Sequence, residues 1–90
     1  MKFKGTPGPW KAITTGKHWN NSDLENIQVQ FGYAGECICD TVYVREDANL
    51  ISAAPDLLNA LINLIEYWKL DETAEAHAAM IAINKALGRE

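Results

Sequence analysis

Aromatic and cationic side chains recur along the chain in a combination that could bind a phosphorylated aromatic molecule. Aromatic rings stack on nucleobases, and lysine, arginine and amide groups hold phosphate oxygens. The aromatic members are Trp10, Trp19, Phe31, Tyr33, Tyr43 and Trp68, and the polar ones nearby in sequence are Lys11, Lys17, Arg45 and Asn49. The structural alternative is burial of Trp10 and Trp68 in the core and simple hairpin packing of Tyr33. The sequence alone leaves both interpretations open.

The pattern of residues gives less support to a catalytic or metal-binding site than to a ligand-binding site. His18 and His77 are the only histidines, and neither has the spacing of a metal ligand or of a nucleophile's partner. Cys37 and Cys39 stand two residues apart on a predicted strand, about 6.6 Å from each other, which would strain an intrachain disulfide and favours free thiols. The chain also has no glycine-rich phosphate-binding motif. We therefore expect no catalytic residue, metal site or cofactor.

Composition and charge narrow the class of protein. Ninety residues with 48% hydrophobic and 22% charged side chains predict one folded domain, residues 1–90. A net charge of -4 argues against binding to duplex nucleic acid. The charge is uneven, because residues 1–17 carry four lysines and no acid. This segment could bind a phosphate, and the alternative is four solvated lysines that keep the chain soluble.

The elements that must position these residues begin with an extended segment and a small sheet. Gly and Pro residues in positions 5–10 exclude a helix or central strand there. Alternating apolar residues predict strands over 10–15, 26–33 and 36–44, with Gly16 ending the first and a tight turn at 34–35. The third strand has Ile38, Val42 and Val44 on its predicted core side, which places Asp40 at an edge or a bulge. Together they form a three-stranded antiparallel meander.

Two helices follow the sheet. Asp47 is a plausible N-cap for a helix over 48–53, and we expect the chain to restart at Pro55 and continue to Leu70, because proline inside a helix loses a hydrogen bond. Asp71 then caps a last helix over 72–87, which Gly88 ends. The predicted fold is α+β, an N-terminal three-stranded antiparallel sheet packed on two C-terminal α-helices.

The helices carry more apolar surface than a single small sheet can bury. In the 55–70 helix the apolar face is much wider than 100°, and its members are Leu57, Leu58, Leu61, Ile62, Leu64, Ile65 and Trp68. The last helix has a stripe of Ala76, Met80, Ile83 and Leu87 and a second of Ala74, Ala78 and Ile81. We expect a homo-oligomer, a dimer or a multiple of dimers, the alternative being a loosely packed monomer.

No membrane association is expected. The N-terminus lacks the apolar stretch of a signal peptide. Elsewhere Asn59, Asn63 and Glu66 interrupt the longest apolar segments. The pattern predicts a cytosolic protein.

Two segments resemble a known group of small phage and prophage proteins. These proteins carry an N-terminal Thr-Pro-Gly-Pro-Trp segment, present here at 6–10, and a helix of the type Asn-Ala-x-Leu-Ile-Ala-Ala-Ala-Pro-Asp-Leu-Leu-x-Ala-Leu, matched by 47–61. The chain departs from the group at two positions, since Asp47 replaces an Asn and Ser52 an Ala. The resemblance adds Asp47 to the candidate ligand-binding residues, although an aspartate caps a helix equally well.

The order of elements is similar to that of the phage Thoeris anti-defence sponge proteins. The resemblance implies a protein without enzymatic activity that sequesters a cyclic nucleotide immune signal, a cyclic ADP-ribose isomer or a cyclic oligonucleotide, in the cytoplasm of the infected bacterial host. Its pockets would lie at subunit interfaces. The full predicted set of ligand-binding residues is Trp10, Lys11, Lys17, Tyr33, Tyr43, Arg45, Asp47 and Asn49. The alternatives are a phage protein that inhibits a host protein through its surface and, third, an enzyme.

Overall fold

The computed structural model describes residues 2–68 and 73–89, in which three strands precede two helices. The strands are β1 (Trp10–Lys17), β2 (Glu25–Phe31) and β3 (Glu36–Val42). The helices are α1 (Arg45–Trp68) and α2 (Ala74–Ala86). This order confirms the predicted α+β class.

The sheet is the predicted antiparallel meander, with strand order β1-β2-β3. Its central strand β2 has the clearest alternation, and Ile27 and Val29 are both fully buried. The prediction that β1 ends at Gly16 was wrong. The pairing with β2 shifts register between Thr14 and Gly16 and then continues to Lys17. A β-bulge of this kind, which glycine in a strand often marks, interrupts the ladder locally without ending the strand.

The register between β2 and β3 is irregular near Asp40, the polar residue on the predicted core side of β3. Ile27 pairs with Val42 but Val29 pairs with Cys39, so the extra residue on β3 falls in the stretch that contains Asp40. This confirms a bulge there. Val44 was wrongly assigned to the core, since β3 ends two residues earlier and the Val44 side chain is 43% exposed.

Helix α1 is longer than predicted at its start and is not interrupted. The expected restart at Pro55 was wrong, because Pro55 lies inside one continuous helix and is buried. Burial of the proline ring offsets part of the lost hydrogen bond. Asp47 is not the N-cap, since the helix begins at Arg45. Glu46 and Asp47 instead lie in the first turn, where carboxylates stabilise the positive end of the helix dipole.

Helix α2 confirms one of the two predicted stripes as core. Ala76 and Ile83 are buried and Met80 and Leu87 partly so, whereas Ile81 on the second stripe is 51% exposed. The Thr73 hydroxyl caps the helix by accepting from the Ala76 N–H at 3.0 Å. The proposed cap Asp71 lies outside the described residues. Gly88 follows the helix with a φ of +73°, which suits the predicted stop.

The chain divides into two units. The sheet unit, residues 8–55, contains the strands and the first part of α1, and its buried residues are Ile27, Val29, Ala48 and Pro55. The helical unit contains the described residues of 2–7 and 56–89, and its buried residues are Ile62, Ile65, Ala76 and Ile83. Whether the chain acts as one domain stays a prediction.

By length and composition, residues 45–67 of α1 would suffice to cross a membrane. The core helix of a soluble protein meets the same criterion. The absence of membrane association therefore stays a prediction, based on the polar residues along this helix.

Candidate functional site

The sheet unit places the predicted ligand-binding residues at two opposite ends of β1. Trp10 begins the strand, opposite Phe31 of β2, and Lys17 ends it, opposite Glu25. Seven steps of an extended strand separate these ends by about 23 Å. Within one chain, therefore, Trp10 and Lys17 do not lie in one compact group.

The end of β1 at Lys17 has the denser group of functional side chains. His18 follows Lys17 directly, and its imidazole packs edge-on against Tyr43, with ring centroids 4.7 Å apart at 84°. Trp19 also stacks on the histidine, with centroids 5.8 Å apart at 26°. We call His18, Trp19 and Tyr43, with the neighbouring Lys17 and Arg45, the aromatic corner.

The loop that carries this corner is fixed by its own backbone. His18 Nδ1 accepts hydrogen bonds from the backbone N–H groups of Asn20 and Asn21, both at 3.1 Å. The backbone N–H of His18 donates to the backbone carbonyl of Leu24 at 3.0 Å, and this hydrogen bond closes the loop. Because Nδ1 is an acceptor, the neutral imidazole carries its proton on Nε2 and can donate from there.

Arg45 ties the start of α1 to two strands of the sheet. Its Nη2 donates to the Thr14 hydroxyl and lies 3.5 Å from Glu25 Oε1. The Thr14 hydroxyl in turn donates to the same carboxylate oxygen at 3.3 Å. Both members of the ion pair are about 40% exposed, so it contributes at most about 1 kcal/mol to stability. Glu25 offsets part of the charge that Arg45 would offer to a phosphate.

The corner contains three of the eight predicted residues, Lys17, Tyr43 and Arg45. Sequence reasoning had assigned His18 to an ordinary loop and had kept Trp19 only in the wider aromatic set. The available signal was the contiguous Lys-His-Trp triplet at 17–19. A cation, a ring donor and a stacking surface are the kinds of side chain that nucleotide-binding sites use.

The remaining predicted residues lie elsewhere in the sheet unit. Trp10 is half-buried and Lys11 is exposed on β1, while Tyr33 is fully exposed in the turn between β2 and β3. Asp47 and Asn49 are exposed on α1, and the Asn49 carbonyl accepts from the Ser52 hydroxyl at 2.9 Å. Trp10 pairs with Phe31 at the opposite end of β1 from the corner.

A second basic surface lies in the helical unit. It is a cleft of about 420 Å³ lined by Lys2, Phe3, Lys4, Gly5, Ala86, Leu87 and Arg89. The Phe3 ring folds over Gly5, where an added Cβ would meet its Cζ at 2.2 Å. The positive charge of residues 1–17 indicated such a surface, but Lys2 and Lys4 were not in the predicted set.

The two cysteines lie on β3 and are not cross-linked. Cys37 and Cys39 are free thiols, and Cys37 Sγ bonds to the Gly35 carbonyl at 3.7 Å. Within residues 2–68 and 73–89, no group of three or more His, Cys, Asp or Glu side chains could hold a metal ion.

Comparison with known proteins identifies a family that covers the chain. The family model for Salmonella phage P22 protein Y8K6 matches residues 1–90, the entire chain. No curated protein and no solved structure matches. The chain therefore belongs to the Salmonella phage P22 protein Y8K6 family and is a small phage protein.

Proposed function

We propose that this phage protein binds an anionic, aromatic small molecule of the nucleotide type at the aromatic corner and holds it without chemical change. The observation that carries the proposal is the exposed ring of Trp19, which stacks on His18, two residues after the exposed Lys17 in sequence. Trp19 is 84% exposed although it stacks on His18. A large ring held in place but left in water is suited to stacking on a ligand.

Phosphate recognition would come from the adjacent cations. Lys17 is exposed at the end of β1, and Arg45 is about 40% exposed. Arg45 has five N–H donors, and Thr14 and Glu25 both contact its Nη2. These two contacts fix the guanidinium, and its remaining N–H groups would donate to the phosphate oxygens of a ligand. His18 Nε2 would supply a further neutral donor.

The absence of turnover is part of the proposal. A nucleophile needs a base within hydrogen-bond reach. The Nδ1 atom of His18 instead accepts from two backbone N–H groups, and the thiol of Cys37 bonds to a carbonyl. The proposed biological role is sequestration of a cyclic nucleotide immune signal, a cyclic ADP-ribose isomer or a cyclic oligonucleotide, in the infected bacterium.

Calorimetric titration with cyclic ADP-ribose isomers and cyclic di- and trinucleotides tests the proposal. At least one should bind, and heat denaturation of the complex should return it unchanged. Base stacking on an aromatic residue is worth about 1–3 kcal/mol, so Trp19→Ala should weaken binding by about fivefold to 150-fold. Tyr33→Ala is the matched control, because Tyr33 is also a highly exposed aromatic residue but lies in the β2–β3 turn.

Three outcomes would overturn the proposal. Absence of binding by the entire panel would reject the nucleotide class of ligand. Recovery of a chemically altered ligand would identify an enzyme. Binding that survives Trp19→Ala but is lost when Lys2 and Lys4 are both replaced by alanine would place the ligand in the basic cleft of the helical unit.

A second candidate function rests on Tyr33. Its side chain is fully exposed at the tip of the β2–β3 turn, and exposed tyrosines are frequent anchors of protein interfaces. Tyr33 could therefore contact a host protein that the phage inhibits. Affinity capture from host lysate with wild-type protein and with Tyr33→Ala tests this, and loss of one specific host protein in the variant is the expected result.

A further inference from the structure

Helix α1 presents a narrow apolar stripe beside the face that it buries in the helical unit. Leu57, Leu64 and Tyr67 are 52%, 46% and 78% exposed, and Ala60 is exposed between them. We call these four residues the α1 stripe. They follow a 3-4-3 spacing, which confines them to a sector of about 80° on an α-helix. The buried face, formed by Leu58, Leu61, Ile62 and Ile65, lies next to it.

From this geometry we propose that the α1 stripe is the contact surface for a second copy of this chain, which packs antiparallel along the helix. The inference goes beyond the proposed function and does not depend on it. The 3-4 spacing is that of a helix seam that pairs with another helix. In the sequence, the same seven-residue interval extends back from Leu64 and Leu57 to Leu50.

The stripe is complementary to itself in shape. The small Ala60 lies between the larger Leu57 and Leu64 along the stripe. An open hollow of about 680 Å³ is lined by Ala60, Asn63, Leu64, Glu66 and Tyr67. In an antiparallel pair centred near residue 62, Leu64 lies over Ala60 of the second copy. Tyr67 then lies over Leu57 of the second copy. Each copy thus fills the gap above the other's alanine, the knob-and-hole arrangement of paired helices.

The acidic residues beside the α1 stripe favour an antiparallel pair of helices and disfavour binding of the stripe to a membrane. Asp56 and Glu66 flank the stripe on its polar side, with Asn59 and Asn63. A parallel pair would place Glu66 beside Glu66 and align the two helix dipoles, and both contacts are repulsive. A helix that lies on a membrane instead carries lysine and arginine on its polar face to attract anionic lipids. This polar face has the opposite charge.

The apolar area that the α1 stripe can bury limits how tightly two copies can bind. One buried aromatic side chain removes about 150–250 Å² from water, and stable protein interfaces bury about 800 Å² from each partner. Three large residues at half to three-quarters exposure fall short of that area. The pair should therefore dissociate on dilution.

Sedimentation equilibrium without ligand, over a range of protein concentrations, tests the contact. Wild-type protein should approach twice the monomer mass of 10.0 kDa as concentration rises. Leu64→Lys should raise the dissociation constant at least tenfold. Ile81→Lys is the matched control, because Ile81 is 51% exposed on α2, and it should change the constant less than twofold. Thermal unfolding of both variants establishes that each remains folded.

The orientation has its own test, in a background in which Cys37 and Cys39 are replaced by serine. Oxidation of a mixture of Leu57→Cys and Tyr67→Cys chains should give mainly the mixed disulfide. Predominance of the two like pairs would overturn the antiparallel arrangement.

Three further results would overturn the self-contact. These are a wild-type protein that stays monomeric at all concentrations, equal effects of Leu64→Lys and Ile81→Lys, and flotation of the wild type with phosphatidylglycerol vesicles that Leu64→Lys abolishes. The last result would identify the stripe as a membrane surface. Failure of nucleotide binding would leave all of these measurements unaffected.

Discussion

The imidazole of His18 is held edge-on against the ring of Tyr43, with their centroids 4.7 Å apart. The same imidazole accepts two backbone hydrogen bonds through Nδ1. One side chain thus links the β1–β2 loop to the residue that follows β3. His18 is the structural centre of the aromatic corner as well as a candidate ligand donor.

Replacement of His18 by alanine should destabilise the protein. An edge-to-face ring pair is worth about 0.5–1.5 kcal/mol and a hydrogen bond about as much, so we expect a loss of about 1–3 kcal/mol in the free energy of unfolding, measured by urea denaturation. His77→Ala is the matched control, because His77 is exposed on α2, and it should stay within about 0.5 kcal/mol of wild type. Equal effects of the two substitutions would contradict the role of His18.

The sheet could be predicted from the sequence because its signals are local. Strict alternation in β2 predicted Ile27 and Val29 on one buried face, and Asp40 on the predicted core side of β3 indicated either an edge position or a bulge, of which the structure has the bulge. The course of α1 through Pro55 could not be predicted in this way. Whether a proline interrupts a helix depends on what buries its ring, and that is a property of the tertiary structure.

The candidate site was predicted only in part for a similar reason. Lys17, Tyr43 and Arg45 come together because strand register brings positions 17, 25 and 43 to one end of the sheet. Aromatic character alone made Trp10 and Tyr33 equally good candidates for ligand binding, but the strand register places Trp10 at the other end of β1. His18 was missed because its role depends on hydrogen bonds to the loop backbone, which no residue pattern specifies.

Gly8 should be sensitive to a single added methyl group. A Cβ on Gly8 would lie 3.2 Å from Cβ of Pro55, which is buried and belongs to a rigid ring. Gly8→Ala should therefore lower the melting temperature, with a cost of about 1 kcal/mol from overpacking. Gly16→Ala is the control, since nothing lies within 4 Å of the point that its added methyl group would occupy, and it should leave stability unchanged or raise it by up to about 1 kcal/mol. The opposite order of melting temperatures would contradict the close approach of Gly8 to Pro55.

The cap of α2 predicts a separate stability effect in the helical unit. Thr73 accepts from the Ala76 N–H at 3.0 Å through its hydroxyl. Thr73→Ala should cost about 1 kcal/mol in chemical denaturation, whereas Thr73→Ser and Thr73→Asp should retain most of the wild-type stability. If serine and alanine destabilise equally, the hydroxyl is not the cap.

Glu25→Gln provides the sharpest test of the corner as an anion site. The carboxylate lies 3.5 Å from Arg45 Nη2 and offsets its charge, so its neutralisation should tighten binding of a phosphorylated ligand by about threefold to tenfold, the effect of one partly screened unit charge at short range. The gain should shrink as salt is added. Stability should fall by less than about 1 kcal/mol, because the ion pair is half-exposed.

Glu36→Gln is the control for this prediction, because it removes the same charge at the other end of the sheet, where Glu36 pairs with Phe31. It should leave the affinity within about twofold of wild type, since the separation of about 20 Å along β2 exceeds the screening length of about 8 Å at physiological salt. Equal gains in the two variants would mean that the ligand responds only to net charge. A loss of affinity in Glu25→Gln alone would mean that the carboxylate itself contacts the ligand or orients Arg45 toward it, and calorimetry at two salt concentrations separates these results.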